Sequence, residues 1–161
     1  MIRKAETSDL NTITKLDYEA FSPYGTAEKL ETFGARLQAF PQGFVVLDLD
    51  GEIAAYGCSE KWLSDREPGL DENPLETHHH DGKIFCITGM AVRIKYRGKG
   101  FGLALLDHLI QIARAENCEK IVLETTHAQG LYFKRGFHIT NSRGDRGVCL
   151  DIMELSLEQN G

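Results

Sequence analysis

Apolar positions recur along this chain with two periods, near 3.6 and near 2, and the switches between them outline its elements. Ile2 to Ala5 reads as a short opening strand. Thr7-Ser8-Asp9 offers side-chain acceptors for a helix N-terminus, and Leu10, Ile13, Leu16 and Ala20 then share one helical face until Ser22-Pro23-Tyr24-Gly25 breaks it. Leu30, Phe33, Leu37 and Phe40 repeat that spacing, predicting a second helix from Ala27 to Phe40 that ends at Pro41. Phe44 to Leu47 and Ile53 to Cys58 read as two strands around the turn Asp48-Leu49-Asp50-Gly51.

Residues 62–82 are polar and acidic and carry Pro68, Gly69 and Pro74. A loop of that length is either functional, here a lid or a pocket wall, or disordered. From Lys83 to Arg93 the chain is almost continuously apolar, as expected of a central strand buried on both faces. Gly89 within it marks a bulge or a close approach to the backbone by something else. A helix follows to about Asn117, with Leu105, Leu106, Leu109, Ile110, Ile112 and Ala113 facing the core and Asp107, His108, Gln111 and Arg114 facing solvent. Lys120 to Glu124 reads as a strand parallel to the previous one across that helix. A short helix spans Ala128 to Arg135 and is closed by Gly136. Phe137-His138-Ile139 and Val148 to Leu157 finish the chain as antiparallel strands around a polar turn, Asn141 to Gly147. The order β-α-α-β-β-β-α-β-α-β-β is that of a mixed α/β sandwich.

At 161 residues the chain reads as one domain, 1–161, able to bury a full core without staples. Its net charge of −6 argues against broad electrostatic binding to nucleic acid. Cys58, Cys86, Cys118 and Cys149 have no Cys-x-x-Cys spacing and read as small hydrophobes. No apolar leader follows Met1-Ile2-Arg3-Lys4, and no run reaches the length of a membrane span. A cytoplasmic, reduced protein with no membrane partner is the expectation.

The densest chemical signal is Arg97-Gly98-Lys99-Gly100-Phe101-Gly102, at a strand-to-helix junction. Three glycines let a ligand approach the backbone, two cations add charge, and the helix start aims free N–H groups at the loop. A pyrophosphate suits it. Leu103, three residues after Gly100, breaks the dinucleotide fingerprint, and no Lys-Ser/Thr follows the glycines as a P-loop requires. On glycine count alone the segment could equally be a plain tight turn.

Two blocks together resemble the GCN5-related N-acetyltransferase (GNAT) family. The first is Met90-Ala91-Val92 followed by Arg97-x-x-Gly100-x-Gly102, and the second is Ala128-x-x-Leu131-Tyr132-x-Lys134-x-Gly136-Phe137. The resemblance implies a mostly antiparallel six- to seven-stranded sheet flanked by helices, with acetyl-CoA as co-substrate and no metal. It implies an acetyl transfer to a primary amine by direct attack. Gly98 to Leu103 (Gly98, Lys99, Gly100, Phe101, Gly102, Leu103), with Arg97, would take the pyrophosphate. Met90, Ala91 and Val92 would line the pantetheine arm and stabilise an oxyanion, and Tyr132 would protonate the leaving thiolate. The paired helices near the N-terminus would shape the acceptor side. The alternative is a non-catalytic acyl-CoA-binding regulatory domain.

An amine acceptor calls for a base. Glu124, at a strand end, resembles a catalytic position of some family branches; Glu60 is the next candidate, then His127 and the His78-His79-His80 run. Each of these also fits a solvated surface role, as Tyr132 fits a core role on the face it shares with Ala128, Leu131 and Arg135. Thr125-Thr126-His127 lacks the Asn often found there in the family, leaving Thr126 or His127 as the polar group for the pantetheine arm. Three adjacent histidines on an extended segment point in alternate directions, which argues against one metal ion. Trp62 fits an acceptor pocket or a core plug. The acceptor, whether small amine, amino acid, polyamine, peptide N-terminus or protein lysine, is not encoded in any motif, and a homodimer is compatible with the composition.

Overall fold

The computed structural model describes residues 1–157. Its strands are β1 (Ile2–Lys4), β2 (Val45–Leu49), β3 (Glu52–Trp62), β4 (Ile84–Val92), β5 (Lys120–Thr125), β6 (His138–Asp145) and β7 (Val148–Ser156). They form one sheet in the order β1-β2-β3-β4-β5-β7-β6. Only the β4–β5 pair is parallel; all others are antiparallel. The helices are α1 (Leu10–Phe21), α2 (Leu30–Ala39), α3 (Pro74–Thr77), α4 (Phe101–Ala115) and α5 (Gln129–Phe133).

Alternation along the central strands sorts side chains to two cores. Val45, Leu47, Ala55, Phe85, Ile87, Ile121, Leu123 and Met153 pack with Leu105, Leu106, Leu109 and Ala113 of α4. Phe44, Val46, Tyr56, Cys58 and Ala91 pack on the other face with Ile13, Leu16 and Ala20 of α1 and with Phe33 of α2. The sheet is thus covered on both sides, which is why β4 reads as nearly unbroken apolar sequence.

Several boundaries differ from expectation, each for a local reason. The second helix starts at Leu30 and not at Ala27, because the Glu28 N–H goes to the Asp17 carboxylate at 2.8 Å and holds that stretch outside the helix. Strand β3 runs on to Trp62, with Ser59, Glu60 and Lys61 all buried. These polar residues find partners inside: Ser59 Oγ donates to the Gly43 carbonyl at 2.9 Å and Lys61 Nζ to the His80 carbonyl at 2.5 Å. The expected polar turn Asn141 to Gly147 is mostly strand. β6 is an edge strand with both faces largely exposed, so no alternation betrays it, and the turn shrinks to Arg146-Gly147. The last helix spans only Gln129–Phe133, with Gly136 in the left-handed region at φ 87°.

Residues 63–83 are an ordered wall that includes α3. Arg66 lies over the Trp62 ring at 3.8 Å and makes a two-pronged pair with Glu72 at 2.7 and 2.8 Å.

Candidate active site

The site starts from a break in the sheet. β4 and β5 pair only at Ile84–Lys120, Phe85–Ile121 and Cys86–Val122. Beyond Cys86 the two strands part, so Ile87 to Val92 have β3 on one side and no strand on the other. The register against β3 jumps from Ser59–Ile87 to Cys58–Gly89, leaving Thr88 as the extra residue of a bulge. The bulge expected at Gly89 therefore falls one residue earlier. Gly89 itself is the close-approach position: a Cβ there would stand 2.9 Å from Tyr56 Oη.

A cavity of about 350 Å³ opens through this gap and reaches both faces of the sheet. On the α4 face its lining includes Val92, Arg97, Gly102, Leu131 and Tyr132. Gly98 and Gly100 take positive φ values of 77° and 84°, conformations that favour glycine, and Gly100 is the N-cap of α4. The first-turn N–H groups of Phe101, Gly102 and Leu103 have no intrahelical acceptor and face the loop. Arg97 Nε donates to the Val92 carbonyl at 3.1 Å, which folds the guanidinium back to the mouth of the gap. Met90, Ala91, Val92, Arg97 and Gly102 of the predicted cofactor residues line the cavity; Gly98, Lys99, Gly100, Phe101 and Leu103 lie outside that lining.

Tyr132 projects from α5 into the cavity wall, is 6% exposed, and has its ring centroid 5.6 Å from that of Phe137. Burial pushes its phenol above the ordinary value, so it stays protonated at neutral pH. Thr125 Oγ1 accepts the Ala128 N–H at 3.1 Å, tying the residue that precedes α5 to the end of β5.

On the α1 face the cavity is lined with charge. Asp17 and Glu60 are each 2% exposed. Asp17 accepts hydrogen bonds from the Tyr56 hydroxyl and the Glu28 N–H, and burial lifts its carboxyl to about 6. Glu60 accepts from Trp62 Nε1 at 2.8 Å, and the Thr77 hydroxyl lies 2.9 and 2.8 Å from its two oxygens. Burial raises the Glu60 carboxyl as well. Glu124, the first base candidate, is on the wall with its charge paired to Arg143; burial raises it while Arg143 opposes the rise. Glu28 holds Arg36, whose Nε donates at 3.1 Å.

The histidines separate. His127 lines the cavity, stacks on Tyr24 at 4.4 Å and shares a 2.7 Å hydrogen bond with Thr126. His78 turns inward, stacks on Phe40 at 4.9 Å and accepts the Lys61 N–H; burial lowers it to about 4. His79 and His80 do not alternate. A turn closed by the Gly82 N–H on the His79 carbonyl stacks their rings 5.2 Å apart, with ligand atoms of His79, His80 and Asp81 within 4.8 Å of one another. Trp62 lines the cavity and is 2% exposed, so it both walls the pocket and plugs the core.

The carboxylate of Asp17 and the guanidinium of Arg36 were missed by sequence reasoning. A signal was present for the first: Asp17 lies four residues after Ile13, on the same stripe as Leu10, Ile13 and Ala20, where an acid is out of place.

A profile of the acetyltransferase (GNAT) family matches residues 9–137. The chain belongs to the GNAT acetyltransferase family. That membership makes it an acyl-CoA-dependent N-acyltransferase by class. Solved GNAT structures share its fold. The loading GNATL domain of CurA from Lyngbya majuscula superposes with a TM-score of 0.85 at 16% identity, covering 97% of this chain and 96% of that one. The yncA protein from Salmonella typhimurium, solved with its cofactor acetyl-CoA, gives 0.73 at 20% identity, covering 100% and 95%. The ribosomal-protein-S18-alanine N-acetyltransferase from Escherichia coli gives 0.73 at 21% identity, covering 100% and 96%. No curated protein matches the chain in sequence. Among the described residues no helix is long and apolar enough to cross a membrane.

Proposed function

We propose that this GNAT member is an acetyl-CoA-dependent N-acetyltransferase acting on a primary amine by direct attack. The observation that carries the reading is the cavity through the β4–β5 gap, with a glycine-built anion cradle and a protonated phenol on one face and buried carboxylates on the other. The acetyl-CoA bound by the yncA protein, and the amine acceptor named for the S18-alanine enzyme, support it by likeness of fold. A cytoplasmic location belongs to the same reading, supported by four free cysteines, of which Cys58, Cys86 and Cys118 are buried.

The loop amides from Gly98 to Leu103, with Arg97, take the pyrophosphate, and Met90 to Val92 offer backbone groups to the pantetheine amides. The amine nitrogen attacks the thioester carbon, forming a C–N bond while backbone N–H groups at the β4 bulge stabilise the oxyanion. The nitrogen gives up its extra proton to a carboxylate on the α1 face, Glu124 being the one expected from the family resemblance. As the C–S bond breaks, Tyr132 hands its proton to the thiolate, whose acid is the stronger of the two at about 8.5 against 10 or more. Solvent returns a proton to Tyr132 and takes one from the carboxylate. A purely regulatory acyl-CoA-binding domain has no need of this phenol at the cavity wall.

Calorimetric titration with acetyl-CoA tests the first half, with micromolar binding expected and no binding at ~1 mM overturning it. Release of free thiol across a panel of amines tests the second.

A further inference from the structure

The acceptor face of the cavity is not neutral. Three of its carboxylates carry their own cations: Glu28 pairs with Arg36, Glu72 with Arg66 and Glu124 with Arg143. Among the described residues, Asp17 and Glu60 form no ion pair of their own; Arg36, already hydrogen-bonded to Glu28, acts on both at longer range, so one guanidinium is shared among three carboxylates. The hydrogen-bond partners of Asp17 and Glu60 are all neutral: the Tyr56 hydroxyl and Glu28 N–H for Asp17, the Trp62 indole and Thr77 hydroxyl for Glu60. Both side chains are 2% exposed, and both line the cavity. One guanidinium against three carboxylates leaves an excess of negative charge, which costs the fold stability unless something cationic compensates it. The Thr77 hydroxyl has one proton for two Glu60 oxygens, so acceptor capacity remains on that group.

The two carboxylates lie at different depths. Tyr56, the donor to Asp17, has its hydroxyl against Gly89 at the β4 bulge, and Cys58 is the residue directly opposite Gly89. Glu60 lies two residues farther along β3, opposite Cys86 and on the same face as Tyr56 and Cys58, hence roughly 7 Å from the bulge along the strand. Asp17 therefore neighbours the reacting end of the cavity, and Glu60 stands beyond it.

We propose that the acceptor is an amine bearing a second positive charge, with Asp17 facing the reacting nitrogen and Glu60 holding the remote ammonium. The substrate class is a short α,ω-diamine or a longer polyamine of similar spacing. This rests on the acetyltransferase reading above and narrows it. A monoamine brings Glu60 no charge beyond that of the shared Arg36, and an ω-amino acid brings a carboxylate against it. Phe21 and Trp62 add aromatic surface for the methylene chain.

The test uses the whole chain, acetyl-CoA and four probes: n-butylamine, 1,3-diaminopropane, 1,4-diaminobutane and 4-aminobutanoate, read by thiol release. The expected kcat/KM for 1,4-diaminobutane exceeds that for n-butylamine by about tenfold or more, with 4-aminobutanoate the poorest. Glu60→Gln lowers the diamine value more than the monoamine value, shrinking that ratio to within about threefold. A ratio near one in the wild type, or a ratio unchanged in Glu60→Gln, overturns the proposal.

A second measurement needs no variant: calorimetry of 1,4-diaminobutane with the wild-type protein saturated with CoA. Affinity should weaken as pH falls from 7.5 to 5.5, because the diamine stays doubly charged while Asp17, its carboxyl lifted to about 6, takes up a proton. The groups facing Asp17 are Tyr56, Cys58, Glu28 and Arg36; those facing Glu60 are Arg36, Glu72 and Cys86. Absent or pH-independent binding overturns the proposal. Acetyl-CoA binding with n-butylamine turned over as efficiently as 1,4-diaminobutane would sink the diamine assignment alone, whereas failure to bind acetyl-CoA would remove the transferase reading with it.

Discussion

On the α4 face a backbone cradle borders the gap, while on the α1 face charged side chains line it. The first is assembled from neighbours in sequence: a strand end, three glycines and the first turn of α4. The second gathers Asp17, Glu28, Arg36, Tyr56, Glu60 and Thr77 from five separate segments. The contrast teaches where each function can vary. A backbone cradle tolerates changes of side chain and holds one invariant ligand, whereas an acceptor wall of side chains changes its guest with a single substitution.

The largest effect expected tests whether the α4 face contributes any side-chain chemistry. Tyr132→Phe should lower kcat by about 100-fold or more, in the range of lost general acid catalysis, with acetyl-CoA affinity nearly unchanged by calorimetry. Full activity would leave that face with backbone alone.

The α1 face should instead declare itself through pH. The Asp17 carboxyl at about 6 in the fold lies above its unfolded value of 3.8, so its protonation favours the native state. That contribution is complete below the unfolded value and is lost as pH rises through 6. Taking the pH from 7.5 to 5 should therefore raise the stability of the wild type relative to Asp17→Asn by about 1.4 kcal/mol. Comparing the two proteins cancels opposing groups such as His78, whose lowered value acts in the other direction. Parallel denaturation curves at both pH values would refute the assignment.

A graded pair at Gly102 sharpens the backbone side. A Cβ there would sit 3.6 Å from Val92 and 3.7 Å from Leu131, which is ordinary contact. Gly102→Ala should change acetyl-CoA affinity only slightly, and Gly102→Val should weaken it by about tenfold through crowding of the cradle. Equal losses would mean the position is not at the ligand. The smallest effect is at the surface: Arg135→Ala removes an exposed pair with Asp107 and should leave the thermal midpoint and kcat/KM where they are.

The same contrast explains what the sequence discloses. The strand–glycine–helix junction and the Leu131-Tyr132 block are local patterns, readable from neighbouring residues, and Arg97, Gly102, Leu131 and Tyr132 of them line the gap. The sheet follows from strand periodicity and the parallel crossover, including the β4–β5 pairing. The acceptor wall depends on contacts far apart in the chain, such as Tyr56 with Asp17, which no spacing rule encodes. Glu124 was legible as a strand-end acid, but its pairing with Arg143 depends on β6, a strand hidden because neither of its faces is buried. The wall at 63–83 read as loop because its order comes from Trp62, Arg66, Glu72 and Thr77 finding one another, not from any repeat.

The short β4–β5 seam has a mechanical consequence. Three residue pairs join a four-strand half, β1 to β4, to a three-strand half, β5 to β7, with α4 as the strap between them. A molecule seated in the gap acts as a splint, since it bridges halves that the backbone leaves apart. Those amide hydrogens of Ile87 to Val92 that point away from β3 into the gap should then exchange freely in the empty protein and slowly in the occupied one, so that occupancy sets the cooperativity of the entire sheet.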